Sequence, residues 1–240
     1  MDGDQVVTSQ EGKEELLFNY FDGLLGTALP STTTLDLSFF HREGTDLSAL
    51  DATFTEEVWD TIKALPADRA PGPDGFTGRF YKACWQIIKS DFMAAIITLQ
   101  HGDDRKLWLL NSAYLTLIAK EEALTAKDFR PISLVHSFAK LVTKILANRL
   151  APFLASLVST NQSVFVRGRC IHDNYILVQQ TIKLLHKQKA PSLFLKLDIS
   201  KAFDSVSWAF LMEVLAHLGF GPIYGEISSL ICCALHPHRF

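Results

Sequence analysis

Apolar positions near the start of the chain recur at spacings of three and four. Leu16, Leu17, Tyr20, Phe21, Leu24 and Leu25 share one face, which predicts a helix over Glu14 to Leu25. The Pro/Ser/Thr-rich passage from Pro30 to Leu35 reads as a linker. Thr53 and Glu56 have capping-box spacing ahead of Val58, Trp59, Ile62 and Leu65, so a second helix is expected to end near Pro66. The run APGPDG, Ala70 to Gly75, sustains neither helix nor strand and reads as a fixed turn. It is taken as the boundary between an acidic helical connector, residues 1–70, and a main domain, residues 71–240.

Past that turn, Phe80, Cys84, Ile87, Ile88, Phe92, Ala95, Ile96 and Leu99 mark the inner face of a helix within Phe76 to Gln100. Asn111 to Lys120 contains AYLTLIA, a strand that delivers Lys120 to a loop. Pro131 forbids helix across Phe129 and Arg130. Ser137 is the expected cap of a long helix burying Phe138, Leu141, Val142, Ile145, Leu146 and Leu150, which Pro152 ends or kinks. The run NQSVFVRGRC is loop or short extended chain. Asp173 or Asn174 then starts a helix through Lys187 that Ala190-Pro191 stops.

The segment Ser192 to Ile199, SLFLKLDI, alternates cleanly. Leu193, Leu195, Leu197 and Ile199 share one face, and Phe194, Lys196 and Asp198 the other. This predicts a half-buried strand with Asp198 at its exit, then a turn and a helix burying Phe210, Leu211, Val214, Leu215 and Leu218, closed by Gly219. A carboxylate at such an exit suits a Mg²⁺ ion that also takes substrate phosphates. The same carboxylate could equally cap the turn by accepting backbone N–H groups. Asp204 reads more readily as a helix cap than as a ligand.

Composition narrows the class. The chain has 240 residues, 48% hydrophobic and 20% charged, as in ordinary globular proteins. Its acidic, polar N-terminus does not resemble a secretory signal, and its apolar runs fall far short of a membrane span. Four cysteines without a CxxC pair indicate neither a disulfide framework nor a zinc site, so a reducing, intracellular setting is expected. The net charge of −3 hides an asymmetry: residues 1–70 hold 4 Lys+Arg against 14 Asp+Glu, and residues 120–201 hold 13 against 5. The basic part has the balance of a phosphate-facing surface, or of a solvated basic face.

At LKLDISKAFDSV the chain resembles the first catalytic block of the reverse transcriptases. APGPDGFTGRFYKACW, LTLIAKEEALTAKDFRPISL and NQSVFVRGRCIHDN are similar, in the same order, to the blocks that precede it in LINE-type non-LTR retrotransposon polymerases, especially plant ones. The resemblance implies an α/β (α+β), helix-rich fold: right-hand polymerase fingers with an incomplete palm. It implies Asp198 as a catalytic, metal-binding aspartate with the Ile199 carbonyl beside it as a second metal ligand. Phe203 matches the aromatic that rejects a ribose 2′-hydroxyl, Lys120 and Arg130 match contacts to the nucleotide triphosphate, and Arg167 and Arg169 fall in a block that positions template and nucleotide. Mg²⁺, deoxynucleoside triphosphates, an RNA template and a DNA primer are the implied cofactor and partners, without a membrane, and nuclear residence is the family expectation. For the cations the alternative is solvated surface charge, and for Phe203 a place in the core.

Two departures qualify the match. Ala119 stands where the family places a proline before the fingers lysine. The downstream Tyr-x-Asp-Asp turn is also missing: no adjacent Asp pair follows Asp198, since Asp103-Asp104 lies upstream. The expectation is thus an N-terminal part of a reverse transcriptase, inactive alone, with a non-enzymatic nucleic-acid-binding remnant or degenerate element product as the alternative.

Overall fold

A computed structural model describes residues 6–25, 35–37, 44–101, 110, 112–189, 191–198, 206–225 and 227–228. Seven helices are described: α1 (Gln10–Leu25), α2 (Glu57–Ala64), α3 (Gly78–Gln100), α4 (Ser137–Leu150), α5 (Leu154–Leu157), α6 (Ile171–Gln188) and α7 (Trp208–His217). Strands β1 (Ala113–Ala119) and β2 (Phe129–Val135) form the one sheet among the described residues, an antiparallel pair running from Ala113 opposite Val135 to Ala119 opposite Phe129. The chain is therefore helix-rich with a small sheet, as the α/β expectation requires at its coarsest. No helix among the described residues is long and apolar enough to cross a membrane.

The core forms where α2, α3 and α4 meet. Val58 and Ile62 of α2, Trp85, Phe92, Ile96 and Leu99 of α3, and Leu141, Val142, Ile145 and Leu146 of α4 are buried together with Leu47, Leu50 and Phe54. Residues on both sides of position 70 thus share one apolar cluster. Rings link the three helices: Trp59 stacks on Trp85 at 5.5 Å, Trp85 meets Phe92 edge-on at 5.7 Å, and Phe92 meets Phe138 at 5.1 Å. Offset and edge-on pairs of this kind add orientation to an otherwise non-directional burial.

Side chains from distant positions fix both ends of α4. At its N-terminus the APGPDG turn supplies the cap. Gly75 N–H closes a turn on the Gly72 carbonyl at 3.0 Å, and this aims Asp74 so that its carboxylate accepts the Ser137 amide at 2.6 Å. Ser137 Oγ donates to the Phe76 carbonyl. Gly72 lies so close to the end of β2 that a Cβ there would meet the Val135 carbonyl oxygen. Only glycine lets this turn approach.

At the other end, the Arg149 guanidinium pairs with Glu57 and donates to the carbonyls of Leu50, Ala52 and Thr53. Gln100, ending α3, donates to the carbonyls of Asp51 and Ala52 at 3.2 Å each. Asp51 in turn accepts the Tyr224 amide at 2.7 Å. The Tyr224 hydroxyl donates to the Leu146 carbonyl at 3.3 Å, and burial pushes that phenol up to about 12. Residues 50–53 thus tie α3 and α4 through their carbonyls and residue 224 through the Asp51 carboxylate, while the Arg149–Glu57 pair joins α2 to the same corner.

Several sequence expectations change. Thr53 does not start a capping box: Phe54 turns into the core instead, α2 begins at Glu57, and the Thr53 carbonyl serves Arg149. Ser137 is the first helical residue, not the cap, because Asp74 reaches its amide from outside. On α3 the inner face turns toward Tyr81 and Trp85, whose large rings win burial, and Ile87 is left 79% exposed. The expectation that Pro131 keeps helix out of Phe129 and Arg130 holds: Phe129–Val135 is a strand, in which the proline is tolerable because the pair has only edges.

Residues 192–198 form no strand. The β1–β2 pair is the one sheet among the described residues, and Leu193 stands 92% exposed. A strand without a ladder leaves its N–H and C=O groups to water, so the alternating pattern alone does not produce one. The helix after it forms as expected, with Ser207 accepting from the Phe210 amide at 3.3 Å. Gly219, at φ +83°, closes it with Phe220 N–H to the Leu215 carbonyl and Gly219 N–H to that of Ala216. Phe210, expected inside, is exposed.

Removing the tertiary cap should cost about 1–2 kcal/mol, so Asp74→Ala is expected to lower the urea midpoint of the whole chain. Gly72→Ala should cost more, because its Cβ meets backbone that cannot yield. Equal midpoints for wild type and both variants would contradict this account of α4.

Candidate nucleotide and nucleic-acid interface

The β1–β2 hairpin carries two of the candidate residues. Ile118 lies opposite Arg130, and the ladder continues one step past β1 through Lys120 N–H to the Asp128 carbonyl at 2.8 Å. Residues opposite one another in an antiparallel pair share a face, so Lys120, Ile118, Arg130 and Ile132 line the same side of the hairpin. That side is solvent-facing, whereas Leu115, Leu117, Phe129 and Pro131 on the other are half-buried. Two cations therefore project from one exposed face at the hairpin's tip. Lys120 Nζ donates to the Lys127 carbonyl at 3.1 Å, across the loop it begins.

That loop is held by one side chain. The Asp128 carboxylate accepts from Thr125 N–H at 2.8 Å, Thr125 Oγ at 2.9 Å and Leu124 N–H at 3.1 Å, while Asp128 N–H donates to the Thr125 carbonyl at 3.0 Å. The Thr125 amide, then its hydroxyl, then the Leu124 amide hold the Asp128 carboxyl below the usual carboxylate range. Its position was legible: Thr125-x-x-Asp128 is the short capping pattern of a helical turn. Glu122 takes a left-handed φ of +56° where the chain reverses.

The two arginines of the Asn161–Cys170 loop are placed differently. Arg169 folds back, and its guanidinium donates to the carbonyls of Gln162 at 2.7 Å, Ala155 at 3.2 Å, Val158 at 3.4 Å, and Ser159. It ties α5 to the loop. Arg167 stands exposed, one residue before Gly168, which has φ +83°. Asn174 anchors the opposite flank, donating to the Asn161 carbonyl at 2.8 Å and to Ser163 Oγ at 2.9 Å.

Asp198 lies in the exposed segment 191–198, which forms neither helix nor strand, and Ile199, Phe203 and Asp204 fall outside the described residues. Among the described residues no group of three or more His, Cys, Asp and Glu could hold a metal ion. One exposed carboxylate does not make the paired-metal site that phosphoryl transfer uses. The described residues thus bring together Lys120 and Arg130 on one face and fix the loop bearing Arg167 and Arg169, but they do not assemble a metal centre.

The exposed two-cation face of the hairpin and, separately, the exposed Arg167 of the 161–170 loop have the residue types that suit phosphates and nucleic acid. The family model for reverse transcriptase (RNA-dependent DNA polymerase) matches residues 118–239. The chain belongs to that family. Its relatives are non-LTR retrotransposon proteins. It is 29% identical over 180 residues to the transposon TX1 uncharacterized 149 kDa protein of Xenopus laevis, covering 75% of this chain and 14% of that one. It is 30% identical over 178 residues to the Pol polyprotein of the type-2 retrotransposable element R2DM of Drosophila melanogaster, covering 68% and 16%. It is 25% identical over 161 residues to that of the type-1 element R1 of Bradysia coprophila, covering 65% and 16%. The chain therefore spans about a sixth of the length of these relatives.

The depressed Asp128 carboxyl sets a direction for pH. A group whose folded pKa lies below its unfolded value of about 3.9 contributes stability that is present above that value and is lost as pH falls through the folded pKa. The amide resonances of Leu124 and Thr125 should hold at pH 5 and shift together as the pH drops below about 4, and Asp128→Asn should abolish that transition. An Asp128→Asn chain that keeps it would contradict the assignment.

Proposed function

We propose that this chain forms the nucleotide- and template-handling part of an RNA-directed DNA polymerase of a non-LTR retrotransposon, with the α3, hairpin and α4 region as fingers and residues beyond about 190 as the start of the palm. The observation that carries the reading is the hairpin, whose ladder places Lys120 and Arg130 on one exposed face behind a loop fixed by Asp128. An ammonium point charge and a planar guanidinium side by side suit a triphosphate. Arg167 and Arg169 serve template and nucleotide, one by contact and the other by holding the loop. Phe203 tests the sugar for a 2′-hydroxyl. Asp198, with the Ile199 carbonyl, contributes to a Mg²⁺ site whose other ligands are not among the described residues, and an RNA template paired to a DNA primer is the substrate.

Domain organisation follows the packing: residues 44–66 work with the polymerase body, since Leu50, Val58 and Ile62 are buried in its core. A second reading, nucleic-acid binding without catalysis, is favoured by one observation, the exposed setting of Asp198, which belongs to no group of three or more His, Cys, Asp and Glu among the described residues.

Titration of the chain with a deoxynucleoside triphosphate tests the proposal. Lys120→Ala and Arg130→Ala should each weaken binding by about tenfold or more, the size expected for a charge-assisted hydrogen bond. Lys127→Ala, which removes a side chain whose residue serves only through its carbonyl, should change it little. Triphosphate binding that ignores both Lys120→Ala and Arg130→Ala would overturn the hairpin assignment. Deoxynucleotide incorporation on a primed RNA template that is abolished by Asp198→Asn would exclude the non-catalytic reading.

A further inference from the structure

The loop from Asn161 to Cys170 combines three features that folding stability does not explain together. First, Phe165 has φ +64°, a left-handed conformation that a bulky side chain disfavours and that glycine or asparagine would adopt readily. Second, its ring is 86% exposed, while its neighbours Ser163 and Val166 are buried. Third, the backbone carrying it is fixed from both flanks. Arg169 binds carbonyls on the α5 side, Asn174 binds Asn161 and Ser163, Gln162 Nε2 donates to the Val164 carbonyl at 3.0 Å, and Arg169 N–H closes on that of Val166 at 3.2 Å. A fixed mount that holds a large ring out in water in a strained conformation stabilises nothing among the described residues. Strain kept by its surroundings is a mark of a working site.

We propose that Phe165 is a stacking platform for a base of single-stranded RNA, with Arg167 taking the adjoining phosphate. This deepens the polymerase reading and rests on it. The ring offers a flat π-face to any base, and its fixed backbone leaves little freedom to be lost on binding. Arg167, two residues on and exposed, supplies the charge a phosphate needs. Residues 120–201, with 13 Lys+Arg against 5 Asp+Glu, surround the loop in sequence with the sign that attracts nucleic acid rather than an apolar protein partner. Arg169 is a positioning residue, its donors already committed to carbonyls.

The experiment titrates the full chain into a short single-stranded RNA carrying 2-aminopurine, whose fluorescence falls when it stacks on a ring. Wild type should quench the probe. Phe165→Ala should lose the quenching and weaken binding roughly 5- to 150-fold, with the salt dependence of affinity unchanged, and Phe165→Trp should restore both. Arg167→Ala should weaken binding and reduce the salt slope by about one phosphate contact. Because the ring is exposed, Phe165→Ala should keep the wild-type melting temperature, and the Trp variant carries the test if it does not. Equal binding and quenching by wild type and Phe165→Ala, or failure of Phe165→Trp to restore them, would overturn the proposal. A chain that binds triphosphate but no RNA would overturn the stacking site alone. One that binds neither would overturn the polymerase reading as well.

Discussion

The arrangement of this chain depends on how α4 is held at its two ends. An isolated helix of this length is marginal in water, and its terminal amides and carbonyls need partners that its own sequence does not provide. Asp74 provides one end from the APGPDG turn, and Arg149 at the other takes Glu57 and the carbonyls of residues 50–53. Negative charge thus meets the N-terminus and a cation lies near the C-terminus, both favoured by the helix dipole. Between these clamps Leu141, Val142, Ile145 and Leu146 meet α2 and α3, so the tertiary caps and the apolar face support one another.

The candidate surface on the hairpin is seated on this frame. β2 runs directly into α4 through His136, and Gly72 seats the capping turn against the Val135 carbonyl, so the base of the hairpin is fixed to the same corner that caps the helix. From there the ladder carries Lys120 and Arg130 outward on one face, and Asp128 keeps the tip from fraying. Farther along, α6 and residues 191–198 leave Ile171, Tyr175, Ile182, Leu195 and Leu197 exposed, in contrast to the closed core around α4.

What the sequence revealed was local. Helical spacing placed α1, α3, α4, α6 and α7 within a few residues, and strand formers marked β1, because each signal lies within its own segment. What it missed was set by partners far along the chain. Whether Asp74 or Ser137 caps α4 depends on a contact across 63 positions. Whether Thr53 caps α2 depends on Phe54 and Arg149, and whether SLFLKLDI becomes a strand depends on neighbours rather than alternation. The cations of the interface were visible as residue types within familiar blocks. That Arg169 is spent on carbonyls while Arg167 stands exposed, and that Phe165 sits at positive φ, are facts of backbone geometry that composition and spacing do not carry.

Native-state hydrogen exchange across the full chain tests this account most directly. If the clamped helix is the keystone, the amides of Leu141 to Leu146 should be the slowest, and those of α2 and of α3 from Phe92 to Leu99 should open with them at the same free energy and the same denaturant dependence. Residues 193–198 should exchange far faster than the helix. Opening of α2 at a clearly lower free energy, with α4 protection intact, would show that the residue 50–53 knot does not join them and would contradict the account.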